Sequence, residues 1–300
     1  MTTAPPLQHR FSGSTVVKLD RGAITRWLPQ LDEWLLPGSL YSVNHTWPQL
    51  YRSDGDGHFF GLFDGDELIS HCAFRTVRIR GAHETFDAAL LGSVATSPTH
   101  RGRGCASIVL EAALASADEI ARHVLLWAER PDLYARFGFG EGNEETVLHL
   151  ARLPRGDHSG VRLAEPRDHV ALHALHLQKP WRVERSARTM SGLLTTPGMQ
   201  TFVREAAGQI TAYACCGKGA DLQGHWHEVG GPDEEVAALL PAAMHLAGQT
   251  EAFLLLPPYR PDLPKRLGRS VIGAVGVPGP MGRSRLGDLP ACWIDGLDSV

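Results

Sequence analysis

No uninterrupted apolar run reaches the roughly 18 residues that a bilayer-spanning helix needs. None of the five cysteines (Cys72, Cys105, Cys215, Cys216, Cys292) forms a Cys-x-x-Cys pair. The first absence excludes a helical membrane protein. The second, with an odd and scattered set of thiols and a vicinal pair that makes a poor staple, points to reduced cysteines and a cytoplasmic location. A basic excess is missing too: 29 Lys and Arg against 33 Asp and Glu leave a net charge of −4, which argues against nucleic acid as a partner. Met1–Arg10 holds no apolar stretch of the signal-peptide kind. What is present is a chain of 300 residues, 43% of them hydrophobic. That is enough to bury a core and too much for a disordered chain, and the length suggests about two domains.

Strand and helix signals alternate through the first half. Thr15–Leu19 is a β-branched run, and Asp20 is placed to cap an amphipathic helix through Leu36 whose apolar positions recur at three and four residues. His58–Phe63 and Leu68–Ile79 predict a hairpin around Asp64-Gly65-Asp66. Phe86–Thr96 predicts a long strand, Ala106–Ala121 a helix rich in Ala, Leu and Glu, and Val124–Trp127 a short buried strand. Leu133–Phe137 predicts a short helix, and Thr146–Leu150 a strand that closes this half. A polar, Pro- and Gly-broken linker is expected at Ala151–Gly160, dividing the chain into domains at 1–151 and 160–300.

The same order then begins again, and an internal duplication is the reason. At a shift of 130 residues, Ala128–Gly138 (AERPDLYARFG) overlays Pro258–Gly268 (PYRPDLPKRLG) with six of eleven positions identical, where background composition gives about one. Leu110 falls on Leu240 and Ala113 on Ala243 at the same shift.

Chemistry concentrates in the loop Ser97-Pro98-Thr99-His100-Arg101-Gly102-Arg103-Gly104-Cys105-Ala106, between a strand and a helix. Glycines let the backbone approach a ligand. The first N–H groups of a helix lack internal partners and lie at its positive end, which suits a phosphate. Arg101 and Arg103 add fixed positive charge. A Walker loop would end in Gly-Lys-Ser/Thr, and the dinucleotide fingerprint would need glycine or alanine where Ser107 stands. Both readings drop.

Arg101-x-x-Gly104-x-Ala106 resembles motif A of the GNAT superfamily of acetyl-CoA-dependent acetyltransferases, and Tyr134-Ala135-Arg136-Phe137-Gly138-Phe139 resembles that family's Y-x-x-x-G-F signature. The stretch from Val94 to Gly140 is most similar to the first domain of the Eis-like acetyltransferases, and the resemblance covers about residues 14–150. It implies an α/β (α+β) fold of two tandem GNAT domains, each a mixed, mostly antiparallel twisted sheet flanked by helices. It also implies acetyl-CoA as co-substrate, held by Val94, Ala95, Thr96, Arg101, Gly102, Arg103, Gly104, Cys105 and Ala106. The acceptor is an amine of a small molecule or peptide, attacking directly, with Tyr134 as general acid. In Eis-like enzymes the carboxyl terminus enters the active site, which directs attention to Val300.

Several residues stay ambiguous. The base is open between Ser93 and His71, each acting through water. Trp27, Trp34, Tyr41, Trp47 and Tyr51 are candidates for an acceptor wall or for core, and Asp54 and Asp56 for cation attraction or for a turn. Cys105 is either a reactive helix-start thiol or a small residue at a tight turn. In the second half Val229 to Ala238 spans nine residues where Val94 to Ile108 spans fourteen. Asp233-Glu234-Glu235 replaces the arginines, and Pro264 stands for Tyr134. That copy is expected to bind no CoA. His225 and His227 share a strand face with no third metal ligand in view, so no metal is expected. The expected assembly is a monomer or homodimer. The competing class is a non-catalytic acyl-CoA sensor or partner-binding protein on the same fold.

Overall fold

The computed structural model describes residues 14–152 and 159–300. Met1–Arg10 and most of the expected linker at Ala151–Gly160 lie outside them. In chain order the first half holds β1 (Ser14–Leu19), α1 (Arg21–Thr25), α2 (Leu28–Leu35), α3 (Val43–Thr46), α4 (Pro48–Tyr51), β2 (His58–Asp64), β3 (Glu67–Arg80), β4 (Thr85–Thr96), α5 (Cys105–Ile120), β5 (His123–Leu126), α6 (Pro131–Ala135) and β6 (Glu144–Ala151). The second half holds β7 (Val161–Leu163), α7 (His169–Leu177), β8 (Arg182–Val183), α8 (Ala187–Leu193), β9 (Gln200–Ala206), β10 (Gln209–Lys218), β11 (Asp221–Gly230), α9 (Asp233–Leu246), β12 (Glu251–Leu256), α10 (Leu263–Leu267), β13 (Val271–Pro278) and β14 (Met281–Ser284). Among the described residues no helix is long and apolar enough to cross a membrane.

The expected single helix from Asp20 to Leu36 is two. Asp20 does cap α1, its carboxylate accepting from Ala23 N–H at 2.7 Å. The chain then turns at Arg26–Trp27 and restarts with Pro29 in the first turn of α2, a position where the missing N–H costs nothing.

Each half builds a mixed sheet. The first runs β1-β2-β3-β4-β5-β14 with β8 pairing β3; the second runs β13-β6-β12-β11-β10-β9-β7. Each contains one parallel pair, β4 with β5 and β11 with β12, joined through α5 and α9 respectively. Every other pairing is antiparallel. The shared order is the structural counterpart of the 130-residue repeat.

β6 forms where expected but does not close the first sheet. It crosses to the second and lies between β12 and β13, while β14, from near the end of the chain, pairs with β5. The halves have exchanged a strand, so each sheet is completed by the other half's chain. On the first sheet α5 buries Val109, Leu110, Ala113, Leu114 and Ala117 against Phe60, Leu62, Phe74 and Leu91. On the second, α9 buries Val236, Leu239, Leu240 and Ala243 against Phe202, Trp226 and Leu254. The three- and four-residue spacing puts each set on one helix face.

Candidate active site

β4 carries the feature that opens the site. Its register against β3 runs His71↔Ala95 and then Ala73↔Gly92, so β4 spends three residues where β3 spends two. The extra residue is a bulge, and Ser93 adopts φ 53° within it. Pairing of β4 with β5 ends at Leu90↔Leu125. Beyond that point the strands part, leaving the edge of β4 near Val94 free of β5.

The bulge is held from behind. His71 Nδ1 donates to the Ser93 carbonyl at 2.9 Å, and the Ser93 hydroxyl bonds the Tyr51 hydroxyl. Burial pushes His71 down to about 4, so the ring is neutral, and its Nε2 is buried without a partner. Enclosed in this way, neither His71 nor Ser93 is placed to take a proton from an acceptor.

After β4 the chain makes the glycine loop. Gly102 and Gly104 sit at φ 74° and 90°, the left-handed region that disfavours side chains. Gly104 stands directly before α5, and no side chain caps that helix. Its first N–H groups therefore remain available to an anion. Arg101 and Arg103 are exposed, and Arg101 Nε donates to the Thr96 carbonyl at 3.2 Å, which ties the loop back to the strand. Val94 is half-buried. The Ala95 carbonyl accepts from Ser70 Oγ, which also bonds Thr96 Oγ1, both at 2.9 Å. Ala106 is half-exposed in the first turn of α5. Cys105 is 1% exposed, and burial raises its thiol, so it is a packing residue rather than a reactive one. Arg136, which the sequence reading passed over, reaches the same helix start by bonding Ser107 Oγ. Its only signal was its place inside the Tyr134–Phe139 motif.

Tyr134 lies in α6 at 9% exposure, edge-on to Phe139 with centroids 6.1 Å apart. Burial pushes its phenol up to about 12, so it keeps its proton throughout the physiological range.

A cavity of about 820 Å³ lies next to the splay, and both halves of the chain line it. Trp127 and Glu129 come from the end of β5, Trp47 from the first half's helical segment, Leu255 and Val277 from the second sheet, and Val300 from the last segment. Its charge is one-sided: Glu129, Glu141, Glu144, Glu145 and Asp221 face it, and no Lys, Arg or His is among its lining residues. Asp221 has Lys218 at 3.7 Å; the four glutamates have no cationic partner among the described residues. Of the proposed aromatic wall, Trp47 lines the cavity and also packs on the core cluster that holds Trp27, Trp34 and Tyr51, while Tyr41 lies at a separate surface hollow. Asp54 and Asp56 are already paired, with Arg52 at 3.2 Å and Arg75 at 3.0 Å.

Val300 reaches the bulge. A side chain on Gly92 would meet the Val300 carbonyl carbon and oxygen at 2.7 Å. Gly92→Ala is therefore expected to expel the 296–300 segment from the splay. Limited proteolysis near the C-terminal end should become at least tenfold faster, and an unchanged rate would contradict this packing.

Among the described residues the start of α9 differs from that of α5. α9 starts three residues after β11 ends. Its first turn carries Asp233, Glu234 and Glu235, which already satisfy the helix dipole. Arg260, the repeat partner of Arg130, bonds Asp233 Oδ1 at 2.5 Å and the Gly231 carbonyl at 2.9 Å. His227 Nε2 donates to the Gly217 carbonyl at 2.9 Å, and His225 stacks on Phe253; the two rings serve the sheet. Glu228, whose neighbours His176 and Asp295 complete a potential ligand set, instead accepts from Lys179 Nζ at 2.9 Å. An ammonium occupies the position a cation would take.

Residues 39–142 match the family model described as an acetyltransferase (GNAT) domain. No curated protein matches the chain. Among solved structures it is similar to a conserved Enterococcus faecalis V583 protein described as a probable N-acyltransferase, with TM-score 0.70 at 14% identity over 91% of this chain and 73% of that one. It is also similar to a GCN5-related N-acetyltransferase from Kribbella flavida, with TM-score 0.63 at 16% identity over 90% and 71% of the two chains. A third similar structure is Eis1 from Mycobacterium abscessus, with TM-score 0.59 at 17% identity over 90% and 73%. Residues 39–142 thus resemble a GNAT acetyltransferase domain, and along most of its length the chain shares the fold of these solved structures.

Proposed function

We propose that the protein transfers an acetyl group from acetyl-CoA to an amine at the parting of β4 and β5. The observation that carries this reading is a bulged strand leading through a double-glycine, double-arginine loop into an uncapped helix. Diphosphate fits the α5 start, where Arg101 and Arg103 supply charge and the free N–H groups supply donors. The open edge of β4 from Val94 to Thr96 would hold the extended arm and polarise the thioester carbonyl through backbone N–H groups. Tyr134 would protonate the departing sulfur. A phenol near 12 is a weaker donor than a free one, so its transfer must be coupled to the proton that leaves the attacking nitrogen.

The first domain, 1–151, carries this site, and the second, 160–300, contributes β14 and the last segment to it without binding CoA itself. The scattered, unpaired thiols support a cytoplasmic location. The acceptor arrives through the acidic cavity, which favours a cationic amine. The second reading, an acyl-CoA sensor, is favoured by one fact: Tyr134 is not among the residues lining the cavity. Release of free thiol from acetyl-CoA in the presence of amines separates the two. Amine-dependent turnover supports the enzyme, whereas tight acetyl-CoA binding without turnover supports the sensor.

A further inference from the structure

We propose that Glu145 is the general base, taking the proton from the acceptor's ammonium inside the cavity. The inference rests on the acetyl-transfer reading. β6 brings Glu145 to the cavity wall because that strand has crossed into the second sheet; had β6 closed its own sheet, the carboxylate would not stand between the two halves. Glu145 shares the lining with Trp127 and Val300, and Val300 touches the bulge at Gly92. The carboxylate thus opens onto the space next to the splay.

Its surroundings suit the task. Among the described residues Glu145 has no ion pair. The groups around it are acidic or neutral: Glu144 on its own strand, Glu141 in the preceding loop, Glu129 after β5 and Asp221 at the start of β11. Cys292 lies nearby in the last segment, and the end of β13 with Gly279 contributes no titratable group. Burial pushes Glu145 up to about 7, where a carboxylate can both accept a proton and release it to solvent. The surrounding carboxylates attract a cationic amine but also hold it protonated, so a base is required before it can attack.

The step balances. Glu145 accepts one proton from the ammonium. The freed lone pair forms the N–C bond, the C–S bond breaks, and the sulfur takes a proton from Tyr134. The second nitrogen proton restores Tyr134, and Glu145 returns its own proton to water.

The test uses the full chain with acetyl-CoA, spermidine as the probe amine, and Glu145→Gln. Wild-type kcat should fall as pH drops below about 7, because the carboxylate becomes protonated there. The variant should keep its acetyl-CoA affinity and lose roughly 10–100-fold in kcat at pH 7. It should recover as pH approaches the pKa of spermidine, where the amine arrives already neutral. A variant with wild-type rate and pH profile would overturn the assignment of Glu145 alone. One that loses acetyl-CoA affinity together with activity at every pH would make Glu145 structural and overturn it equally. A wild type that binds acetyl-CoA and acetylates no spermidine would overturn the acetyl-transfer reading and the base with it.

Discussion

Glu228→Gln is expected to remove about 3–5 kcal/mol of stability, the usual cost of breaking a buried ion pair from one side. Glu228 is 1% exposed and accepts from Lys179 Nζ (2.9 Å), Arg185 Nη1 and Nη2 (both 2.9 Å) and Tyr213 Oη (2.6 Å). Lys179 also bonds Asp295 at 2.8 Å, and Arg185 bonds Asp298 at 2.5 Å. These acids lie in the final segment, so the network ties the end of the chain to the second sheet. An amide in place of the carboxylate keeps the shape, turns a donor toward two cations and removes a charge that no water can replace. Burial alone would raise the Glu228 pKa, but Arg185 and Lys179 hold it well below the usual range. Its contribution is therefore full above the unfolded-state value of about 4.3 and is lost as pH falls through the folded one. Urea titration at pH 7 should show the loss, and the variant's stability should decline less on acidification. A change under about 1 kcal/mol would mean that the network is not formed.

Tyr134→Phe is expected to lower kcat by roughly 10²–10⁴-fold, the range for loss of a positioned acid, while leaving acetyl-CoA affinity and fold intact. The ring's packing on Phe139 survives the change, and no hydrogen bond from the phenol to a protein group is formed among the described residues, so removing the oxygen should not disturb the core. Single-turnover thiol release at fixed acetyl-CoA checks it. Unchanged turnover would remove Tyr134 from the chemistry and leave sulfur protonation to water.

Local physics made some of this legible and concealed the rest. The glycine loop and α5 could be read because the left-handed turns, the charge and the apolar spacing all lie within about thirty residues. The strand exchange could not. Val147, Leu148 and Leu150 mark β6 as a buried strand equally well for either sheet, and the choice of neighbour is decided by distant chain. For that reason Glu145, in a sequence run of Glu-Gly-Asn-Glu-Glu, carries no local signal that it faces a cavity. Lys179, Arg185, Glu228, Asp295 and Asp298 are spread over more than a hundred residues: charged side chains are normally solvated, and only the fold brings these five into one buried network. Local reading also misjudged the helix after Asp20, where Pro29 starts a new helix rather than riding within one.

The most direct measurement is calorimetric titration of the full chain with acetyl-CoA, repeated on an Arg101→Glu/Arg103→Glu variant. One site per chain, weakened at least tenfold in the variant, is the predicted result, because α5 starts uncapped behind two left-handed glycines and two exposed arginines, whereas α9 starts with three acids. Two sites per chain would mean that the acidic start of α9 binds CoA after all. No binding would contradict the acetyl-CoA site outright.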